Sequence, residues 1–449
     1  GSLASISKTS MPLQQITTSN LDALQAYGKA EEALGSGKVK DSLLLLQEAL
    51  RIDPTFALAW GRLATIQNAF LNDWKGAYAS LNQAEMHRTR LSAREQALLE
   101  ATLSQYQSAA QWIDRWTMVT QLYPDDFGAQ QNLGLGYWWY EHRLDNAIPH
   151  FMKVADSRNP HRGNSWYCLS MIETERGDYR KADDDIAQGR KLGALAPHFE
   201  DVGSDLAQRR YGAVLARLNT APAALPASMQ AEKQVRYAAV AVDQGKLDAG
   251  AQYLDKAAAD AAQTPSQAQQ ARIELARTAL GLAAHQAGAN GELAALIDSE
   301  TRRAQGPGPA VDGSAAIHLA LAAMLAARHG QPQLARKALD ASRAMALDHG
   351  YYDRAALWKT ADCETRFVAS PKDRAACLTQ LVDGREYFQT HVALRLAYQA
   401  DGDATDYRAQ TKWLTAHRGQ AIAELENEPA LIPNILAERS ATASVQIVR

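Results

Sequence analysis

A helical stretch closes at Ala49-Leu50-Arg51-Ile52-Asp53-Pro54, and the same kind of ending returns two units later at Leu122-Tyr123-Pro124-Asp125-Asp126. The interval sets a period of about 34 residues, the length of two antiparallel helices with their turns. A unit of that size has too little apolar surface to bury alone, so successive units must stack, each covering its neighbour. The period excludes most other architectures before any side chain is considered. Alternating Val, Ile and Thr runs are almost absent and Pro and Gly sit mainly between helical runs, which makes the chain all-α.

Small residues at Ala49 and Ala84, with Leu133-Gly134-x-x-Tyr137 in a later unit, match the tetratricopeptide (TPR) signature. With Pro54 closing the first unit, Gly37 falls at its turn and Ser42, Leu46 and Ala49 face inward on its second helix. The second unit places Trp60, Leu63 and Ala64, then, after one inserted residue near Asp73-Trp74, Ala77, Leu81 and Ala84, and the third uses Leu99, Leu103, Trp116 and Val119, with Trp112 where a small residue is usual. A fourth carries Ala147 and Phe151 with a one-residue slip, a fifth Trp166, Leu169, Gly177, Ala182 and Ile186. Later, Gly245 with Leu254 and Ala257, Gly330 with Ala335 and Leu339, and Gly402 with Tyr398 keep the rhythm. Breaks are expected near Pro222 to Pro226, Gln263 to Gln267 and Gly306-Pro307-Gly308-Pro309.

The expected architecture is a TPR-like helical-hairpin solenoid, a right-handed superhelix of about 10 to 12 helical pairs. Residues 1–18 read as a lead-in, 19–197 as a well-matched array, 198–428 as degenerate repeats, and 429–449 as a C-terminal tail or cap. Ser19 is the expected N-cap of the first helix, with Asp22 meeting the helix dipole.

With 47 basic and 50 acidic residues and a formal net charge of -3, the chain carries no strong field to gather nucleic acid or anionic lipid. No run of about 18 apolar residues occurs, so membrane association would come through a segment outside this sequence. The opening Gly1-Ser2, without an initiator Met, reads as a piece of a longer protein. Cys168 reads as a small buried hydrophobe. Cys363 and Cys377 flank Ser370-Pro371-Lys372-Asp373, which turns the chain back, making them a candidate disulfide that would favour an oxidising compartment.

In each pair, positions 2, 5, 9 and 12 of the first helix share one stripe and point into the groove. The candidate partner-binding residues on that stripe are Tyr27, Thr65, Asn68, Gln131, Trp138, Tyr167, Met171 and Thr174. Position 5 reads Tyr27, Gly61, Ala97, Gln131 and Tyr167, which lacks the Lys and Asn donors of a clamp for peptide carboxylates. A mixed polar and aromatic groove fits an extended or helical protein segment instead. In Tyr137-Trp138-Trp139-Tyr140, Trp138 is the candidate groove anchor.

His142, His150 and His161 lack metal-site spacing. Asp183-Asp184-Asp185 reads as a solvated face, and Arg209-Arg210 as a surface pair. No strand leads into a glycine-rich phosphate loop and no nucleophile-elbow sequence occurs, so neither catalysis nor a cofactor is expected.

Met11-Pro12-Leu13, then Thr17-Thr18-Ser19-Asn20-Leu21-Asp22-Ala23-Leu24-Gln25-Ala26-Tyr27, resembles the start of the C-terminal TPR region of large bacterial signalling proteins. These include membrane-anchored serine/threonine kinases, adenylate-cyclase-like proteins of peptide modification systems, and CadC-type winged-helix regulators. Leu91-Ser92-Ala93-Arg94-Glu95 and Tyr123-Pro124-Asp125-Asp126 resemble the same region, and the likeness covers roughly Ser5 to Gly189. It implies an effector domain and one membrane span upstream, with the repeats on the periplasmic side; a cytoplasmic location is the alternative. The expected function is a non-catalytic protein- or peptide-binding scaffold in sensing or docking. Dimerisation of an upstream kinase or cyclase, and small-molecule sensing, are the alternatives.

Overall fold

The computed structural model describes residues 18–427 except 72, 160–161, 195, 197–198, 222–224 and 306–312. The lead-in before Thr18, the tail, His161, Pro197 and the Gly306–Pro309 break lie outside the described residues. Those described are helices and turns without a strand. The chain divides into two compact units, 1–133 and 134–449. That division falls inside the stretch read from sequence as one array.

Unit 1 holds three complete antiparallel pairs: α1 (Leu21–Gly35) with α2 (Val39–Ile52), α3 (Ala57–Ala69) with α4 (Trp74–Met86), and α5 (Ala93–Leu103) with α6 (Ala109–Leu122). The helix α7 (Phe127–Leu135) starts the fourth pair, and the boundary between units lies within it. The repeat positions form the core: Leu46, Ala49 and Val119 are fully buried, with Leu63, Ala77, Leu81, Ala84 and Trp116 nearly so. Burying each large apolar side chain stabilises the fold by about 1.5–3 kcal/mol. Trp112 is also buried, its ring against Trp116 and its indole N–H donating to the Asn132 carbonyl.

Polar side chains fix where these helices begin. The cap of α1 is Asn20, one residue beyond the expected Ser19: its amide oxygen accepts from the N–H groups of Asp22 and Ala23. Ser92 and Glu95 close a reciprocal capping box on α5, and Asp73 caps α4 at the inserted residue the repeat register requires.

Unit 2 continues with α8 (Leu144–Val154), paired with the end of α7 through a π-helical turn at Gly136–Tyr140. Next come α9 (Gly163–Arg176) with α10 (Tyr179–Lys191), short α11 (Gly203–Ala207) with α12 (Tyr211–Asn219), and α13 (Ala227–Asp243) with α14 (Leu247–Ala261). The pairs α15 (Gln267–Ala283) with α16 (Ala289–Ala304) and α17 (Ser314–Arg328) with α18 (Pro332–Leu347) follow. Last are α19 (Tyr352–Arg366) with α20 (Pro371–Thr379), α21 (Phe388–Asp401) with α22 (Ala404–Ala416), and a single helix α23 (Arg418–Asn427).

Most of the turns joining the two helices of a pair need a residue with positive φ, and Gly37, Gly177, Gly245, Gly330 and Gly402 supply it. Without a Cβ, glycine enters that region freely. At three such turns a larger residue takes the place: His142, Arg209 and His285, with φ of 49, 58 and 53°. His142 and Arg209 both join the polar network described below.

Candidate functional site

On unit 1 the first helices of successive pairs are linked by ion pairs. Arg62 of α3 reaches back to Glu31 of α1, with Nε 2.5 Å from Oε1. The pair is about one-third exposed. Tyr27 stands beside it, half-buried against Phe56 with ring centroids 5.2 Å apart. Burial raises the Tyr27 hydroxyl pKa, so it stays a neutral donor and acceptor. Arg94 of α5 donates to buried Asp126 at 3.0 and 2.7 Å, while Asp126 itself caps α7 through the Ala129 N–H. Thr65 is exposed, and Asn68 and Gln131 are half-buried. These four expected groove residues, Tyr27, Thr65, Asn68 and Gln131, therefore sit on unit 1 with at least part of each side chain open to solvent.

A second cross-link on unit 1 was not anticipated from sequence. Asp53 accepts from Thr18 Oγ1 at 2.6 Å and from the Thr55 hydroxyl and N–H, with Arg90 at 3.5 Å. Burial pushes this carboxyl upward, but those hydrogen bonds outweigh it and hold it below its ordinary value.

Unit 2 treats the equivalent residues differently. Tyr167, Met171 and Thr174 are buried, at 1%, 0% and 0% exposure, so the expectation that they line an open groove is corrected. Tyr167 packs on α10, where Gly189 makes room for its ring, and its hydroxyl donates to the Ala194 carbonyl; burial pushes that hydroxyl up to about 12. Met171 meets Gly203 of α11. The Thr174 carbonyl lies where a Cβ on Gly419 would come within 1.7 Å of it. The occupant of this face is the chain's own α23, which packs on α9 and α11.

That helix is held through residues 418–423. The Arg418 guanidinium donates to the carbonyls of Ala207 and Leu206 at 2.9 and 3.3 Å, and to Asp243 at 2.5 Å. Asp243 is fully buried, with Arg209 and the Tyr211 hydroxyl as further partners. Gln420 donates to the Glu386 carbonyl at 2.8 Å. Ile422 joins the core of Val202, Leu206 and Val240, and Ala423 that of Phe151 and Leu169. Arg209 and Arg210, read as a surface pair, are both exposed and also pair with carboxylates, Arg209 with Asp243 and Arg210 with Asp183 and Asp205. The acidic run is not a solvated face throughout. Asp185 is buried and its carboxyl is pushed up to about 7 by that burial.

Trp138 is likewise corrected as a groove anchor. The π-helical turn at Gly136–Tyr140 inserts an extra residue into the helical register, which rotates the side chains after it relative to a regular helix. Trp138 turns inward, 9% exposed, and its indole N–H donates to Glu175 at 3.2 Å. The second oxygen of Glu175 meets His142 Nε2. His142 Nδ1 faces the Arg385 carbonyl across 243 residues of sequence. Its ring stacks on Tyr387 at 4.7 Å and 9°, and Tyr140 meets Tyr351 edge-on at 4.9 Å. The first hairpin of unit 2 therefore touches its last ones.

Cys363 and Cys377 are joined in a disulfide linking α19 to α20, and Cys168 is half-buried and outside that disulfide. Among the described residues no helix is long and apolar enough to cross a membrane, and no group of three or more His, Cys, Asp or Glu is placed to hold a metal ion.

No family model matches this sequence, and no curated protein matches it. Solved structures do. A tetratricopeptide repeat protein from Parabacteroides merdae aligns at 15% identity over 53% of this chain and 93% of that one, with a TM-score of 0.33. Yeast Tom70 aligns at 10% identity over 95% of this chain and 92% of its own, TM-score 0.35. The TPR domain of P58(IPK) aligns at 12% identity over 89% and 99%, TM-score 0.21. These superpositions are loose, and the description of the fold as TPR-like helical hairpins rests on the pairs, turns and caps set out above.

Proposed function

We propose that this chain is a non-catalytic protein-interaction scaffold whose docking face lies on unit 1, while unit 2 is a self-filled support. The observation that carries this reading is the contrast in accessibility: Thr65 and Arg94 are exposed on unit 1, whereas Tyr167, Met171 and Thr174 of unit 2 are covered. The unit 1 face offers a carboxylate and guanidinium pair, a neutral tyrosine and amide groups. That chemistry suits a polar segment of a partner protein bound through backbone and side-chain hydrogen bonds.

The sequence resemblance over Thr18–Tyr27, Leu91–Glu95 and Tyr123–Asp126 supports placing the scaffold at the C-terminal docking end of a bacterial signalling protein. The Cys363–Cys377 disulfide supports an oxidising, extracytoplasmic location for it.

The test is selection of binding peptides from a displayed random library on the full chain, followed by titration against variants. Thr65→Arg and Arg62→Ala on unit 1 should each weaken the selected peptides at least about tenfold. Trp139→Ala on the exposed surface of unit 2 should leave them unchanged. Peptides that bind equally to all three variants would refute the assignment of the face.

A further inference from the structure

The contact at His142 has a chemical requirement that its surroundings make specific. A neutral imidazole carries one N–H, so it donates from one nitrogen only. Here Nδ1 faces a backbone carbonyl and Nε2 faces the Glu175 carboxylate, both acceptors. The ring is 9% exposed, so water offers little substitute for either bond. The backbone at His142 adopts φ 49°, at the turn position where the next pair has Gly177. A non-glycine residue is disfavoured there, and such positions persist where the surroundings hold them.

We propose that unit 2 closes through a proton-operated latch: protonated His142 joins Glu175 to the Arg385 carbonyl, and loss of that proton releases one bond and loosens the turn at 383–387. The proton leaves to solvent, and the chain needs no other reactant.

The charged and titratable groups around the latch come from every element packed there. From its own turn come Glu141 and Arg143, 3.6 Å apart. From α9 comes Glu175. From α19 and the residue before it come Tyr351, Tyr352, Asp353 and Arg354. The 383–387 turn brings Asp383, Arg385, Glu386 and Tyr387, and α21 brings His391, whose Nε2 is 3.1 Å from Glu386. Arg385 lies 3.9 Å from Glu141, 3.1 Å from Asp383 and over the Tyr352 ring at 4.2 Å. Asp353 reinforces the direction. Burial, with Glu141 adding to it, pushes its carboxyl up to about 6. A group whose pKa rises on closure favours the closed form at low pH and ceases to as pH climbs through that raised value. A protonated His142 satisfies both of its acceptors and a neutral Asp353 avoids a buried charge, so the seam is tight in mild acid and looser above neutrality.

Hydrogen exchange of the full chain, followed by mass spectrometry on peptides covering 383–391 and corrected for the intrinsic pH dependence of exchange, reads the latch directly. Between about pH 5.5 and about pH 8.5, loss of one charge-assisted bond should accelerate exchange there about 10- to 100-fold. Peptides from α1 to α6 should show no such change. His142→Gln, which cannot titrate, should remove most of the dependence; Asp353→Asn, which keeps the shape of the side chain, should remove the smaller remainder. Corrected rates that stay constant across this range in the unsubstituted chain would overturn the proposal. So would a His142→Gln chain that folds and keeps the full dependence, because His318 or His391 would then be its source.

Discussion

In unit 1 the first helices of neighbouring pairs are tied by Arg62 with Glu31 and Arg94 with Asp126, contacts at the edge of the core that leave Thr65 open. In unit 2 the helix α9 has Tyr167, Leu169, Met171, Ile172 and Thr174 all buried, because α10, α11 and α23 surround it. Both units are made from the same helical pair. The difference lies in a few long-range contacts: Arg418 with Asp243, Gln420 with Glu386, and His142 with Arg385. A repeat pattern sets how each pair folds, whereas whether its inner stripe stays open depends on what the rest of the chain places against it.

The comparison breaks most severely at Arg418. Replacing it with Ala leaves the buried Asp243 carboxylate without its strongest partner, and removing one member of a buried ion pair costs about 3–5 kcal/mol. Urea titrations read by hydrogen exchange should show that loss in peptides from unit 2 and none in unit 1. Reduction of the disulfide comes next. All three cysteines lie in unit 2, and the Cys363–Cys377 loop of sequence separation 14 contributes about 3 kcal/mol on the chain-entropy view. Dithiothreitol should lower unit 2 stability by an amount of that order and leave unit 1 unaffected.

Two glycines sharpen the contrast at smaller scale. Gly419→Ala drives a methyl group into the Thr174 carbonyl, and overpacking of that kind costs about 1–3 kcal/mol. Gly28→Ala in α1 meets nothing within 4 Å and should stabilise unit 1 by about 0.5–1 kcal/mol through helix propensity. Thermal unfolding of the two variants should therefore shift in opposite directions. A pH-dependent contrast between the units lies at Asp185. With its carboxyl raised from 3.8 to about 7, its contribution is complete below about pH 4 and lost as pH rises through about 7. Asp185→Asn should flatten that fall in unit 2 stability, as read from melts over that range.

Much of the hairpin framework is legible in sequence, because a buried repeat position has a local cause. Leu46, Ala49 and Val119 fall where the period puts them, and Gly177 and Gly402 mark turns through the conformation they alone adopt freely. The inner stripe of unit 2 is not legible in the same way. Position counting assumes an open inner side, and nothing local in Arg418-Gly419-Gln420 states that this segment will return to α9. One signal was available: α17, Ser-Ala-Ala-Ile-His-Leu-Ala-Leu-Ala-Ala-Met-Leu-Ala-Ala-Arg, is apolar on nearly every side, the mark of a helix covered all round. Trp138 was misplaced for a different reason, since the π-helical turn changes the register by one residue without a sequence flag.

The most direct measurement compares thiol reactivity at one position in each unit. In a Cys168→Ser background, with Cys363 and Cys377 left bonded, Thr65→Cys and Ile422→Cys are reacted separately with an aromatic disulfide reagent under native conditions. The account expects the thiol at position 65 to react at the rate of a free cysteine, and the one at position 422 to be slower by a factor of about 1,000 or more, set by the opening of unit 2. Comparable rates at the two positions would contradict it, because α23 would then not be lodged in the interior of unit 2.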